Sequence, residues 1–366
     1  MRRMLLLKKI KIKKRHILLV LLLLVVYIFK VIPYLSIVYG KQIYPRIGAM
    51  LSNFSGLFPF SLGDVFIAAS ILFVVVYACY SIICKKRRAL WLLIEFFLWI
   101  YVWFYMAWGL NYSQPSIYSR IGMKPVQVSK EEFRKFAGEY IDSLNASYPN
   151  ALRADKRDVE MEIPHAYLDI SRSGTRVGIN APFNNHPHVK TMLFSKLCSM
   201  AGVTGSMGPF FCEFTLNSEL QSHEYPATYA HELAHFMGIS NEGEANFYSY
   251  MVCTASHNRA IRFSGYYQIL FHVLASMDAV LDSTEREVLI KRIRPEVLGL
   301  AQSDHKYWSS RRCHVVDKTQ NFFYTLYLHG NNIKDGMKNY STVVGIIMAW
   351  RQHCLHIDGK RKCNMK

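Results

Sequence analysis

The sequence predicts an α-helical membrane leader of three spans followed by a mainly helical, α+β domain. Three observations carry this. Three long apolar runs fall within the first 110 of 366 residues, the basic charge bunches around those runs, and mixed helix and strand signals begin only after them.

The first run, Ile17 to Phe29, ends at Lys30 and continues as mixed apolar sequence, which predicts a span over about 17–37. The second and third are expected at 65–84 and 90–110. The third is rich in residues that favour the membrane interface (Trp91, Trp99, Tyr101, Trp103, Tyr105, Trp108) and holds one acid, Glu95, read as a partner for another helix or as part of a polar path. A basic head followed by 13 apolar residues also has the outline of a signal peptide. No small-x-small cleavage site follows in "KVIPYLSIVYG" and two further runs come after, so an uncleaved anchor is expected.

Basic residues set the orientation. The leader 1–16 carries eight Lys or Arg and no acid, and "KKRR" at 85–88 fills the gap between the second and third runs. Both belong on the cytoplasmic side, which sends the domain 111–366 outside the cytoplasmic membrane. Residues 1–110 account for +13 of the net charge of +18, so the charge is mostly topogenic and a nucleic-acid partner is not expected. The eight cysteines include no CxxC pair, and the six beyond the spans are read as disulfides or as buried thiols.

After the third run, "GLNYSQPSIYSRIGMKPVQV" reads as a linker punctuated by Pro, Gly and Ser. "SKEEFRKFAGEYIDSLNASYP" predicts a helix with a capping box at Ser129 and Glu132. The stretch "ALRADKRDVEMEIPHAYLDI" has no clear period, and Val189 to Met200 looks helical. "FFCEFTLNSEL" predicts a strand, read as a border of the cleft or as a core strand. From Tyr225 the pattern is helical up to Gly238, and a second helix is expected from near Asn241 to about Ala255.

Within these two helices lies "HELAHFMGISNEGEANFYSYM". His231, Glu232 and His235 form HExxH, which on a helix puts both imidazoles on one face and Glu232 about 100° around. That arrangement suits zinc: the metal polarises a water and the scissile carbonyl, and the glutamate takes the proton. Glu242, Glu244 and Asn241 are the candidate third ligands. Asn241 with Glu244 makes a second capping box, which gives both structural work and favours Glu242 as the ligand. Asn246, on the face of Glu242 at i+4, is expected to accept from the outer N–H of a metal-binding imidazole and so orient the ring. Tyr266 is the expected stabiliser of the developing oxyanion, ahead of Tyr267, His272, His305 and Tyr307. His223 reads as a loop residue, and "KDGMKNY" near the tail as a solvated turn.

The step from Glu242 to Asn246 resembles the third-ligand helix of gluzincin peptidases, although only six residues separate His235 from Glu242 where a longer insert is common. The longer run "GPFFCEFTLNSEL" through "RFSGYYQIL", with "WGLNYSQP", "FPFSLGD" and the tail "YLHGNNIKDGMKNYSTVVGIIMAW", resembles a bacterial membrane family, domain of unknown function 3810. The resemblance implies a zincin-like fold and a peptidase-like site. The expected activity is zinc-dependent hydrolysis of a peptide or protein substrate by a protein anchored in the lipid bilayer. The competing expectation is a regulatory or non-catalytic zinc-binding protein, with intramembrane proteolysis a third reading disfavoured by the polar "SNE" beside the motif.

Overall fold

The computed structural model describes residues 13–84, 88–126, 128–172, 177–183, 187–313, 316, 318 and 342–358. Most of the basic leader, "KKR" at 85–87 and the "KDGMKNY" turn lie outside the described residues. The described chain is mostly helical, with one small sheet.

The leader departs from three equal spans. Helix α1 (Lys14–Val31) stops because Pro33 follows: Ile32 is driven into extended backbone (φ −95°, ψ 107°), and the chain turns through 97°. It continues as α2 (Pro33–Val38), a π-helical turn (Tyr39–Ile43) and α3 (Tyr44–Ser55). The span expected at 17–37 is therefore broken. Among the described residues, only α4 (Leu62–Ile83) is by itself long and apolar enough to cross a membrane. Helix α5 (Arg88–Ala107) carries a shorter apolar stretch, Trp91–Ala107, and packs on α4 through Phe73 and Phe96. Glu95 pairs with another helix, accepting from Arg15 at 2.8 Å.

The expected linker after α5 is not loose. Gly109–Ser113 forms a 3-10 turn and α6 (Ile117–Ile121) follows, with Leu110, Asn111 and Ile117 buried. The apolar core runs without a break from Tyr39, Tyr44 and Trp108 into the later helices, so residue 110 is not a packing boundary. Those later helices begin with α7 (Lys130–Ser147), which carries the expected Ser129–Glu132 capping box, and α8 (Lys156–Arg172), which holds Pro164 in its interior.

The sheet has strand order β1–β3–β2. Val189–Thr191 is β1 rather than the start of a helix, because it pairs in parallel with β3 (Glu213–Leu216); the helix expected there shrinks to α9 (Ser195–Met200). Strand β2 (Gly205–Gly208) runs antiparallel to β3 and leaves its other edge unpaired within the sheet. A buried ion pair fixes the sheet to the apolar hairpin. Lys190 donates to Glu213 at 2.6 Å and to the Ser55 carbonyl at 2.7 Å, while Glu213 also accepts from Gly63 N at 2.6 Å and Ser61 Oγ at 3.0 Å. With every charge partnered, the desolvation cost is offset and the start of α4 is seated on the central strand.

The remaining helices are α10 (Tyr225–Phe236), α11 (Glu242–Thr254), α12 (Arg259–Gln268), α13 (Leu270–Val280), α14 (Ser283–Arg292), α15 (Pro295–Ser309) and α16 (Thr342–Asp358). No disulfide occurs among the described cysteines, and Cys212, Cys253 and Cys354 are buried thiols.

Candidate metal centre

Helix α10 starts with Pro226 in its first turn and ends at Gly238, whose φ of +93° is the left-handed conformation that glycine adopts without strain. Two hydrogen bonds close the helix as a Schellman turn: Gly238 N to His235 O at 2.9 Å and Ile239 N to Ala234 O at 3.1 Å. A Cβ at Gly238 would stand 3.0 Å from the Tyr44 ring and 3.1 Å from Asn111 Oδ1, so the turn is pressed against the N-terminal part of the chain. This compact reversal is what allows six residues to connect His235 to Glu242.

Asn241 caps α11, its side chain accepting from Glu244 N at 3.0 Å, as expected. The other half of the expected capping box is not made. The Glu244 carboxylate turns away and accepts from Arg120 at 2.6 Å and from Ile117 N at 2.8 Å. Glu244 and Asn241 thus have structural partners, and Glu242 remains. Its side chain is 56% exposed overall, with the carboxylate turned onto the two imidazoles.

His231 Nε2, His235 Nε2 and Glu242 Oε2 converge. The two nitrogens are 3.0 Å apart, and the oxygen stands 3.2 Å from His231 and 3.5 Å from His235. Ligands bound at about 2.0–2.1 Å to one tetrahedral ion lie about 3.3 Å from each other, so these three separations bracket one face of such a site. Two imidazoles and a carboxylate also form a donor set that zinc accepts. The residues fit the ion.

The surrounding groups hold this face in place. His235 Nδ1 meets the Ile239 carbonyl at 2.6 Å, so the Schellman turn itself orients the ring. Trp108 Nε1 donates to the His235 carbonyl at 3.0 Å, and Tyr44 donates to the Phe236 carbonyl at 2.6 Å. Burial opposes a charge on His235, but the Glu242 carboxylate outweighs it and pushes the ring pKa up to about 9. Burial would raise Glu242 too; the two imidazoles prevail and hold it well below the usual carboxylate range. Glu232 is buried, which lifts its pKa against the pull of both rings. Its carboxylate lies against β2, where a Cβ on Gly205 would fall 2.5 Å from Glu232 Oε1, so any side chain there would displace the Glu232 carboxylate.

A cleft of about 590 Å³ opens over these residues. The sequence profile described as "Protein of unknown function (DUF3810)" matches residues 39–348, from the π-helical turn through the site to α16. The chain belongs to the DUF3810 family. Comparison with curated proteins and with solved structures gives no match.

Several site expectations change in this DUF3810 protein. Tyr266 does not reach the cleft. It lies in a separate cavity with Tyr140, Tyr250 and Arg351, because it is two residues from Gln268 and so on the other side of α12, and Gln268 is the one that lines the cleft. Tyr267 donates to Asp304, and Tyr307 to the Glu219 carbonyl at 2.8 Å. Asn246 lines the cleft, but its Oδ1 accepts from Gln268 Nε2 at 3.2 Å rather than from an imidazole. His235 finds its acceptor in the turn instead, and among the described residues His231 Nδ1 is buried with no partner. The strand bordering the cleft is β2, from "GSMG", whereas the "FFCEFTLNSEL" segment supplies the fully buried β3. Sequence reasoning also missed Trp108 and Tyr112 on the cleft wall; the only available signal was the aromatic cluster closing the third apolar run.

His223 lies in the turn before α10, as expected, and is buried there. With Glu224 and Asp304 it forms a second group spaced closely enough to hold a metal. Here, however, protein donors occupy Asp304: Gln221 Nε2 at 2.7 Å, His223 Nε2 at 2.7 Å and the Tyr267 hydroxyl. Glu224 accepts from Trp308 Nε1 at 2.9 Å and Gln221 N at 3.1 Å. The group is a brace between the start of α10 and α15.

Proposed function

We propose that this protein is a membrane-anchored, zinc-dependent peptidase of zincin-like fold, hydrolysing peptide bonds outside the cytoplasmic membrane, with its N-terminus in the cytoplasm. The observation that carries the reading is the convergence of three ligand atoms of His231, His235 and Glu242 beside the buried Glu232, at the floor of a cleft.

Zinc, when bound, supplies a Lewis acid that polarises the scissile carbonyl and acidifies the attacking water. The rest falls to the chain itself. Glu232, whose carboxylate pKa burial raises, takes the water's proton and hands it to the leaving amine. The free edge of β2 offers backbone donors and acceptors to an extended peptide, and its glycines let that peptide approach the site closely. Trp108, Met207 and Pro209 give the cleft apolar walls, while Tyr112 replaces Tyr266 as the tyrosine at the site.

Glu232→Gln tests this in the full chain. Hydrolysis should fall by about 10²–10⁴-fold while zinc stays at one ion per chain. Undiminished activity in that variant sinks the mechanism. Bound zinc with no hydrolysis by either protein supports the non-catalytic zinc-binding reading instead.

A further inference from the structure

The cleft and the outer end of the apolar hairpin are built together. The start of α4 is seated on β3 by Glu213, which accepts from Ser61 and Gly63, and Asp64 in its first turn accepts from Leu193 N at 2.8 Å. The end of α5 is seated on the metal-binding helix by Trp108, whose indole both lines the cleft and binds the His235 carbonyl. The loop after β2 closes the connection. Pro209 lines the cleft, while Phe210 packs on Phe66 of α4 (centroids 4.9 Å) and on Phe104 of α5 (6.2 Å), and its carbonyl accepts from Trp103 Nε1 at 3.0 Å.

A 22-residue helix is about 33 Å long, the thickness of a hydrocarbon core, so a membrane crossed by α4 ends where the sheet begins. The surface around that point is apolar. Phe54 at the end of α3, Leu57 and Phe60 in the loop before α4, Leu193 and Phe194 in the β1–α9 connection and Leu197 in α9 are all exposed, Leu57 to 77%. An exposed apolar set beside a membrane helix fits lipid better than water. Lipid is also the occupant continuous with the exposed flanks of α4 and α5.

We propose that the cleft works at the bilayer surface, and that its substrates are membrane-anchored polypeptides cut within a few residues of their anchor. This rests on the peptidase and membrane readings above. A segment leaving the bilayer beside Trp103 and Phe210 meets the β2 edge almost at once, and a chain held near the surface stays in reach. For a flexible tether, lengthening the linker eightfold dilutes its end by roughly 20-fold.

The test uses the full chain reconstituted in phosphatidylethanolamine–phosphatidylglycerol vesicles. A library of random decapeptides is joined to one transmembrane helix through glycine–serine linkers of about 5 or about 40 residues, and the same library is also supplied untethered. Cleavage is read by mass spectrometry against Glu232→Gln. The short linker should be cut at least ~10-fold more than the long one. Equal cutting, or preference for the long linker, overturns the surface placement and leaves the peptidase reading intact. Absence of any Glu232-dependent cutting overturns both. A readout independent of activity is labelling by lipids with photoreactive acyl chains: adducts at 54–60 and 193–197 support the placement, and adducts confined to α1, α4 and α5 overturn it. Leu57→Asp combined with Phe194→Asp should lower cutting of the short-linker library and spare the untethered one; equal loss on both overturns the proposal.

Discussion

Two clusters of the same residue types lie at opposite ends of α10. His223, Glu224 and Asp304 at its start and His231, His235 and Glu242 at its end each bring ligand atoms within reach of one ion. At the first cluster, three protein donors fill the Asp304 carboxylate, and a tryptophan and a backbone amide fill Glu224. At the second, the atoms that converge meet only one another, on the floor of a cleft, while the backs of the groups are held by a carbonyl and a capped helix. Composition does not separate a brace from a candidate metal centre; what separates them is whether neighbouring donors have already claimed the lone pairs.

The largest expected effect breaks this comparison if it fails. His231→Ala or His235→Ala should weaken zinc binding by more than ~100-fold, since loss of an outer-shell partner alone costs roughly 10–100-fold. Asp304→Ala should leave zinc stoichiometry unchanged, yet lower unfolding stability by about 3 kcal/mol, because the buried His223 and Tyr267 and the half-buried Gln221 lose their acceptor. Metal analysis with denaturant titration reads both, and zinc loss in the Asp304 variant would merge the two clusters into one class.

Next in size is the contrast between the two glutamates. Glu242→Ala should lose zinc and, in the metal-free protein at pH 7, also the stability that its pairing with His235 contributes. Glu244→Ala should keep zinc and lose about 3 kcal/mol, because Arg120 is left buried without its carboxylate. Similar zinc loss in both would leave the third ligand unassigned.

Zinc affinity should also depend on pH in a defined direction. In the metal-free protein His235 is raised to about 9 by Glu242 against the opposing effect of burial, so its charged form stabilises the fold fully below the unfolded value near 6.5, and this contribution fades as pH rises through 9. Zinc needs the neutral ring, so binding at pH 7 should expel about one proton from His235 and tighten until pH 9. Calorimetry in buffers of differing ionisation enthalpy measures that proton, and its absence would mean that Glu242 does not govern the ring. The smallest effect sharpens the picture by being null: Tyr266→Phe should leave turnover unchanged, as its ring packs between Tyr140 and Tyr250 away from the cleft.

Much of the site was legible because it is local. HExxH, the glycine stop and the Asn241 cap lie within one helix–turn–helix, and helical period with capping chemistry is enough to orient them. The preference for Glu242 came from that capping argument, although Glu244 is engaged by Arg120, more than a hundred residues away, rather than by the cap alone. Parts that depend on distant contacts were not legible. Val189–Thr191 became a strand only because β3 pairs with it, and a glycine-rich "GSMG" carries no strand signal of its own. Tyr266 and Gln268 differ by two positions on one helix, and which of them faces the cleft is decided by how α12 packs on α11. The broken first span was signalled by Pro33, and hydropathy averaging hid it.

Trp108 and Tyr44 leave the ribosome more than a hundred residues before the helix whose end they hold. The residues that hold the turn after HExxH therefore come from the N-terminal part of the chain, outside the segment 111–366. A secreted fragment cut free at residue 111 would be born without that scaffold.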